Sequence, residues 1–230
     1  MNYDNYVFDL YGTLIDLHTN EHATTTWKKW FDWLDNNKVV HPSITKFRND
    51  FFRRDRLFRK QSLEKGIYTN VEIDVIDVYR ELFAEYGNPP FDDDFLYKAS
   101  YAFRVASREY IRLYPGVIEF LSMIKDTGKT AYILSNAQRS YTWPEICEFD
   151  LDKLTAGQLI SSDYGCMKPD VHFYKAIIDK YNLDPSTTVM LGDSFENDVK
   201  GAQNAGLYAI HLSGTNSPKH FYVEHLFDLI

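Results

Sequence analysis

The chain changes its hydrophobic period twice, and this constrains the fold more than any other feature. A strand-length apolar run, Tyr6-Val7-Phe8, opens the chain and ends at Asp9-Leu10 and the turn Tyr11-Gly12-Thr13. From about residue 17 to 95 strand character disappears. Trp27, Trp30, Phe31 and Leu34 recur at helical spacing, as do Ile44, Phe47, Phe51 and Phe58, then Val75, Ile76, Tyr79, Leu82, Phe83 and Tyr86. Gly87-Asn88-Pro89-Pro90 breaks the pattern, and a fourth helical stretch is expected to run on to about Arg112. Strands then return at Thr130-Ala131-Tyr132-Ile133-Leu134, near Leu159-Ile160, at Thr188-Val189-Met190-Leu191 and at Tyr208-Ala209-Ile210. Helical segments such as 116–126 and 171–181 separate them. Apolar strands alternating with helices predict an α/β fold, a doubly wound parallel sheet covered on both faces. Its first strand is cut off from the rest by a mainly helical cap, so we expect a core of residues 1–16 and 96–230 and a cap of residues 17–95.

Composition narrows the function. The net charge of −8 argues against a surface built for nucleic acid, and 44% hydrophobic residues are enough for a sizeable core. No run of about 18 apolar residues predicts a membrane span. The start, Met1-Asn2-Tyr3-Asp4, has no cationic, apolar leader, and Cys147 and Cys166 cannot make a disulfide framework. A cytoplasmic protein is expected.

In a sheet of this kind ligands bind beyond the carboxyl ends of the strands. Asp9, Ser135 and Asp193 each fall at such an end, Asp198 follows at the start of the next helix, and Lys168 lies in Gly165-Cys166-Met167-Lys168-Pro169 before another helix. One pocket would hold three carboxylates, a hydroxyl and an ammonium. Crowded carboxylates repel unless a cation sits among them, which implies a hard divalent metal such as Mg²⁺.

These residues resemble a known family. Phe8-Asp9-Leu10-Tyr11-Gly12-Thr13-Leu14, Ser135-Asn136, Lys168-Pro169 and Gly192-Asp193-Ser194 with Asp198 look like motifs I to IV of the haloacid dehalogenase-like (HAD) hydrolases. Tyr114-Pro115-Gly116-Val117 resembles the lead-in to motif II, and the insertion after motif I matches that family's helical C1 cap. The resemblance implies Asp9 as a nucleophile that forms a covalent aspartyl intermediate. Ser135, Asn136 and the backbone N–H groups around Leu10 and Tyr11 would bind phosphate oxygens, and Lys168 would neutralise charge on the transferring group. Mg²⁺ would lie between Asp9 and Asp193 and take the backbone oxygen of Tyr11, with Asp198 orienting Lys168 or a metal-bound water. The substrate implied is small and anionic, a phosphate monoester.

One position departs from the pattern. Phosphatases of this family carry a second Asp two residues after the nucleophile as general acid and base, and here that position is Tyr11. A phenol near pKa 10 transfers protons poorly at pH 7, putting a factor of about 10² to 10⁴ at risk. Tyrosine there resembles the true 2-haloacid dehalogenases, in which halide leaves unprotonated. Those enzymes work without metal and use a cap arginine soon after motif I, whereas the first arginine here is Arg48. A non-catalytic binding module is the third reading, although it has no need of Asp9, Lys168, Asp193 and Asp198 together.

Within the cap, residues 46–65 are basic and 70–96 acidic. The expectation is that the two faces pair with each other; the alternative has Arg48, Arg53 or Arg54 meeting an anionic substrate. Trp27, Trp30 and Phe31 are expected in the cap core, and Trp33, off that stripe, at the surface.

Overall fold

Tyr6, Val7 and Phe8 are wholly buried because β1 (Asn5–Phe8) runs up the middle of a sheet with partners on both sides. The computed structural model describes residues 3–212. β1 pairs in parallel with β4 (Thr130–Ser135) and with β6 (Thr188–Gly192). β5 (Gly157–Ile160) flanks β4 and β7 (Tyr208–His211) flanks β6, which gives the order β5-β4-β1-β6-β7. In this order Asp9, Ser135 and Asp193 leave neighbouring strands at the same edge. Helices α5 (Val117–Asp126), α6 (Arg139–Glu148), the single turn α7 (Leu151–Leu154) and α8 (Val171–Tyr181) lie in the connections between the strands. Two apolar clusters, one built around Phe8, Phe120 and Ile133 and the other around Val7, Phe173 and Tyr174, cover the two faces. No helix among the described residues is long and apolar enough to cross a membrane.

The insertion contains α1 (Thr24–Asn36), α2 (Ile44–Glu64), α3 (Val75–Glu85) and α4 (Asp93–Ser107). Its core is aromatic. Trp30 is fully buried, lies within ring contact of Trp27, Phe31, Phe47, Tyr79 and Phe103, and donates its indole N–H to the Ala99 carbonyl at 2.8 Å. Trp33 is half-buried against Phe95 instead of standing at the surface. Ser43, Asp74 and Asp92 accept hydrogen bonds from the first turns of α2, α3 and α4 and so fix where these helices start.

Two expectations about the insertion's borders change. The fourth helix ends at Ser107, and residues 108–113 continue as β3 (Arg108–Leu113), not as helix to Arg112. β3 pairs antiparallel with β2 (Ile15–Thr19), whose C-terminal part lies in the stretch read as purely helical. The ribbon is only partly buried, and Asp16 on β2 holds Arg112 at 2.7 Å and Tyr110 at 3.2 Å on β3. Pairing, which local sequence does not encode, makes these residues strand. Helix α4 runs through residue 95 and packs against α1.

Candidate active site

Asp9 follows the last residue of β1, and its N–H bonds the Leu191 carbonyl on β6 at 2.9 Å. The chain then turns sharply. The Leu10 carbonyl accepts from Leu14 and Ile15, and Gly12 sits at φ +88°, where side chains are strained. A Cβ on Gly12 would lie 2.6 Å from the Asp193 carboxylate, so the glycine leaves room for that acid as well as supplying the turn. Gly192 likewise leaves room for the Asp198 carboxylate, which a Cβ there would overlap.

Lys168 is the centre of the charge cluster. Its ammonium is 2.6 Å from Asp9 Oδ1 and 2.7 Å from Asp198 Oδ1, with its side chain 2% exposed. The Asn136 side chain grips the Lys168 backbone at both groups: Nδ2 donates to its carbonyl (2.9 Å) and Oδ1 accepts from its N–H (2.8 Å). Asp198 lies in a π-helical turn, Phe195–Lys200, capped by Ser194, and its Oδ2 accepts from Ser194 N at 2.9 Å. It therefore links the Lys168 ammonium to the backbone of this turn. Ser135 ends β4, nearly fully buried.

A cavity of about 150 Å³ opens here, lined by Asp9, Tyr11, Ser135, Asn136, Lys168, Asp193 and Asp198. Ser194 and Asn197 complete the wall and were not among the residues expected from sequence; their place in the motif IV turn is the signal that could have found them. Leu10 is fully buried and does not line the cavity.

Three carboxylates face one ammonium. Oxygens of Asp9, Asp193 and Asp198 lie within 4.8 Å of one another. Burial, with Asp198 and Asp193 beside it, pushes Asp9 up to about 6 even though Lys168 pulls the other way. Asp193 is raised too, by burial and then by Asp198. For Lys168, burial works to lower the pKa, but Asp9 and Asp198 outweigh it and keep the amine charged. With Asp198 committed to Lys168 and to Ser194, the donor set suits a hard divalent cation on Asp9 and Asp193.

Tyr11 turns away from this cluster. Its hydroxyl donates to Glu145 Oε2 at 2.5 Å and lies 3.2 Å from Thr142 Oγ1, both on α6. Arg104 from α4 binds Glu145 through two nitrogens, at 2.8 and 3.1 Å, and lies over the Tyr11 ring at 5.1 Å. Burial first, then Glu145, hold the phenol well above its ordinary pKa. A phenol so placed is a structural donor, unsuited to moving protons at neutral pH. Sequence reading did not find Arg104, Thr142 or Glu145, because nothing local marks their pairing.

The cap arginines are mostly engaged with acids. Arg54 pairs with Glu81 and with Glu85, Arg53 with Asp50, and Arg59 with Asp55 and Glu72. Arg48 lies over the Trp27 ring.

Comparison with known proteins fits this geometry. A family model described as haloacid dehalogenase-like hydrolase matches residues 3–206. Glyceraldehyde 3-phosphate phosphatase of Pyrococcus furiosus is 26% identical over 190 residues, covering 75% of this chain and 79% of that protein. Among solved structures, a 2-haloacid dehalogenase from Pseudomonas syringae pv. Tomato DC3000 aligns with a TM-score of 0.59 at 21% identity, covering 91% of this chain and 86% of its own. A HAD hydrolase of Bacillus subtilis, determined with magnesium bound, aligns at TM-score 0.50 and 19% identity over the same shares. The structural likenesses extend over 91% of the chain, and the family match spans all four motifs, so the chain belongs to the haloacid dehalogenase-like hydrolases.

Proposed function

We propose that this hydrolase is a Mg²⁺-dependent phosphatase that cleaves a small phosphate monoester through an aspartyl intermediate on Asp9. The observation that carries the reading is the charge imbalance: Asp9, Asp193 and Asp198 within 4.8 Å of one another, against Lys168 alone among the cavity-lining residues. A site of this kind takes up a cation together with an anionic substrate. A phosphatase relative at 26% identity and a magnesium-bound family structure support the choice.

The free oxygen of Asp9 attacks phosphorus, the ester P–O bond breaks, and the leaving oxygen departs with its electron pair. Water then attacks phosphorus, the Asp9–phosphate bond breaks, and inorganic phosphate leaves with the carboxylate restored. Lys168, held on Asp9 at 2.6 Å, supplies positive charge beside the transferring group, and Asn136 keeps it there through the Lys168 backbone. Ser135 and the N–H groups of Leu10 and Tyr11 donate to phosphate oxygens. Asp9, Asp193 and the Tyr11 carbonyl would hold Mg²⁺, which when bound neutralises phosphate charge. The insertion acts as a cap that excludes water, with its borders in the β2–β3 ribbon, since a border at residue 95 would fall inside α4. Free Cys147 and Cys166 suit a reducing compartment, and we assign the protein to the cytoplasm.

Tyr11 favours the second reading, a 2-haloacid dehalogenase, because its hydroxyl serves Glu145 and no carboxylate stands in its place to protonate an alkoxide. Against it, the buried cation Arg104 is already engaged: it is bidentate on Glu145, lies over the Tyr11 and Tyr141 rings and is 4.0 Å from Glu21. Phosphate esters and 2-haloacids assayed with Mg²⁺ and with chelator separate the two. The phosphatase reading expects ester hydrolysis lost in chelator, with aryl phosphates turned over much faster than alkyl ones because a phenolate needs little protonation. Metal-independent haloacid turnover without ester hydrolysis would overturn it.

A further inference from the structure

The loop that carries Lys168 is held from the insertion as well as from the core. Between α2 and α3 the chain is not helical, and residues 68–75 lie along the loop 165–170 as a strap. Thr69 N (2.6 Å), Thr69 Oγ1 (2.9 Å) and Asn70 N (3.1 Å) all donate to Asp170 Oδ2. The Met167 N–H donates to the Asn70 carbonyl, Val71 forms an antiparallel bridge with Cys166, and the Glu72 N–H donates to the Gly165 carbonyl. Gln138 closes the far end, donating to the Ile73 carbonyl and accepting from Val75 N, both at 2.8 Å. Asp170 Oδ1 caps α8 through His172 N and also meets His172 Nδ1. Asp170 is thus buried with both oxygens filled, two residues after Lys168.

We propose that Asp170 is a positioning residue: its carboxylate ties the seating of the insertion to the alignment of Lys168 on Asp9. The catalytic consequence rests on the phosphatase reading above; the mechanical coupling does not. A carboxylate accepting from three strap donors and from the α8 N-terminus fixes the Lys168 loop at a second point, two residues beyond the one that Asn136 holds. An insertion that rocks away from the sheet must break these bonds, and the Lys168 loop then loses its outer wall. Seating of the insertion and readiness of the ammonium become one equilibrium.

Hydrogen exchange followed by mass spectrometry tests the coupling without substrate. In the wild-type chain, strap residues 66–76 and loop residues 163–170 should exchange slowly. Thr69→Val removes one donor of the strap and touches nothing in the cavity. It should speed exchange in both segments together, by roughly tenfold for one hydrogen bond to a charged acceptor, and leave residues 117–126 of α5 unchanged. Asp170→Asn, which cannot accept all the same donors, should do so more strongly. Faster exchange confined to the strap in both variants would overturn the proposal, and equal acceleration in α5 would show general destabilisation and overturn it as well. On an aryl phosphate with saturating Mg²⁺, Asp170→Asn should lower kcat about tenfold or more with KM changed less than about twofold, because Lys168 acts on charge that grows in the transition state. A rise in KM at constant kcat would assign Asp170 to binding instead. Absence of ester hydrolysis in the wild-type chain counts against the phosphatase reading alone, while the exchange result still decides the coupling.

Discussion

Two charged clusters begin two residues apart at the end of β1 and are built to opposite ends. Asp9 leads into a cluster with three carboxylates and one ammonium. Tyr11 leads into one in which Glu145 is matched by the bidentate Arg104 and completed by the phenol, with Arg108 3.8 Å from Glu145 and Glu21 4.0 Å from Arg104. Both are buried. The balanced cluster satisfies its charges internally and joins α4 of the insertion to α6 of the core, so it has nothing left to offer a ligand. The unbalanced one holds carboxylates above their usual pKa and needs partners from outside. Burial of charge is common to both, so net charge is what separates a binding site from a structural joint.

The largest test of this contrast removes the nucleophile. Asp9→Asn should lower turnover by about 10⁴-fold or more while the fold persists, because an amide does not attack phosphorus. Stability without metal should hold or rise, since one of the crowded acids is gone. A variant that keeps a tenth of wild-type kcat would show that Asp9 is not the nucleophile.

The balanced cluster should respond in stability. Arg104→Met leaves Glu145, which has no solvent exposure, without its bidentate partner, and should cost about 3–5 kcal/mol in urea unfolding. Adding Glu145→Leu should return most of that loss, because a buried ion pair replaced by apolar groups is close to neutral. If the double variant is no better than the single one, the pair is not the unit described here.

Tyr11→Phe sharpens the comparison at its border. It deletes one hydrogen bond to a charged acceptor and should cost about 1–2 kcal/mol, with kcat on an aryl phosphate within about threefold of wild type. A loss of kcat above tenfold would place the hydroxyl at the reacting centre.

A third acid separates burial from function. Asp74, near the end of the strap, caps α3, and burial, then Asp77 and Asp163, raise it to about 6. The folded carboxyl binds its proton more tightly than the unfolded one, so its contribution is best below about pH 4 and is lost as pH rises through about 6. Asp74→Asn keeps a capping oxygen for Ile76 N and should gain about 1 kcal/mol at pH 7.5, a figure reduced for partial exposure, and nothing at pH 4. Melting temperatures at the two pH values decide it, and an equal shift at both would remove the ionisation argument.

Sequence alone reaches one of these clusters and misses the other for a physical reason. Strand ends advertise themselves: an apolar run stopping at Asp9, Ser135 or Asp193 needs no tertiary knowledge, and a parallel sheet brings such ends together. Glu145 reads as an ordinary polar residue of α6, and its partner lies 41 positions earlier on α4. The same limit explains the ribbon. Residues 108–113 follow α4 without glycine or proline, and only pairing with 15–19 makes them a strand. The strap is hidden likewise, since the grip of Asp170 on Thr69 and Asn70 spans about 100 residues.

The β2–β3 ribbon also bears on how the chain finds its fold. Pairing Phe8 with Ile133 across β1 and β4 requires closing a loop of about 120 residues. Ile15 and Leu113 stand opposite each other in the ribbon, so the whole insertion leaves and returns at one point. If the aromatic helices and the ribbon form first, the sheet closes across only about 25 residues. On the logarithmic dependence of closure entropy, that shortcut lowers the cost by about 1 kcal/mol. Most of the helical contacts that produce it are local and fast, whereas the parallel pairs of the sheet are not. The insertion then serves as an internal splint for assembly before it serves as a cover, and an early-folding insertion followed by slower closure of the sheet is the kinetic order it implies.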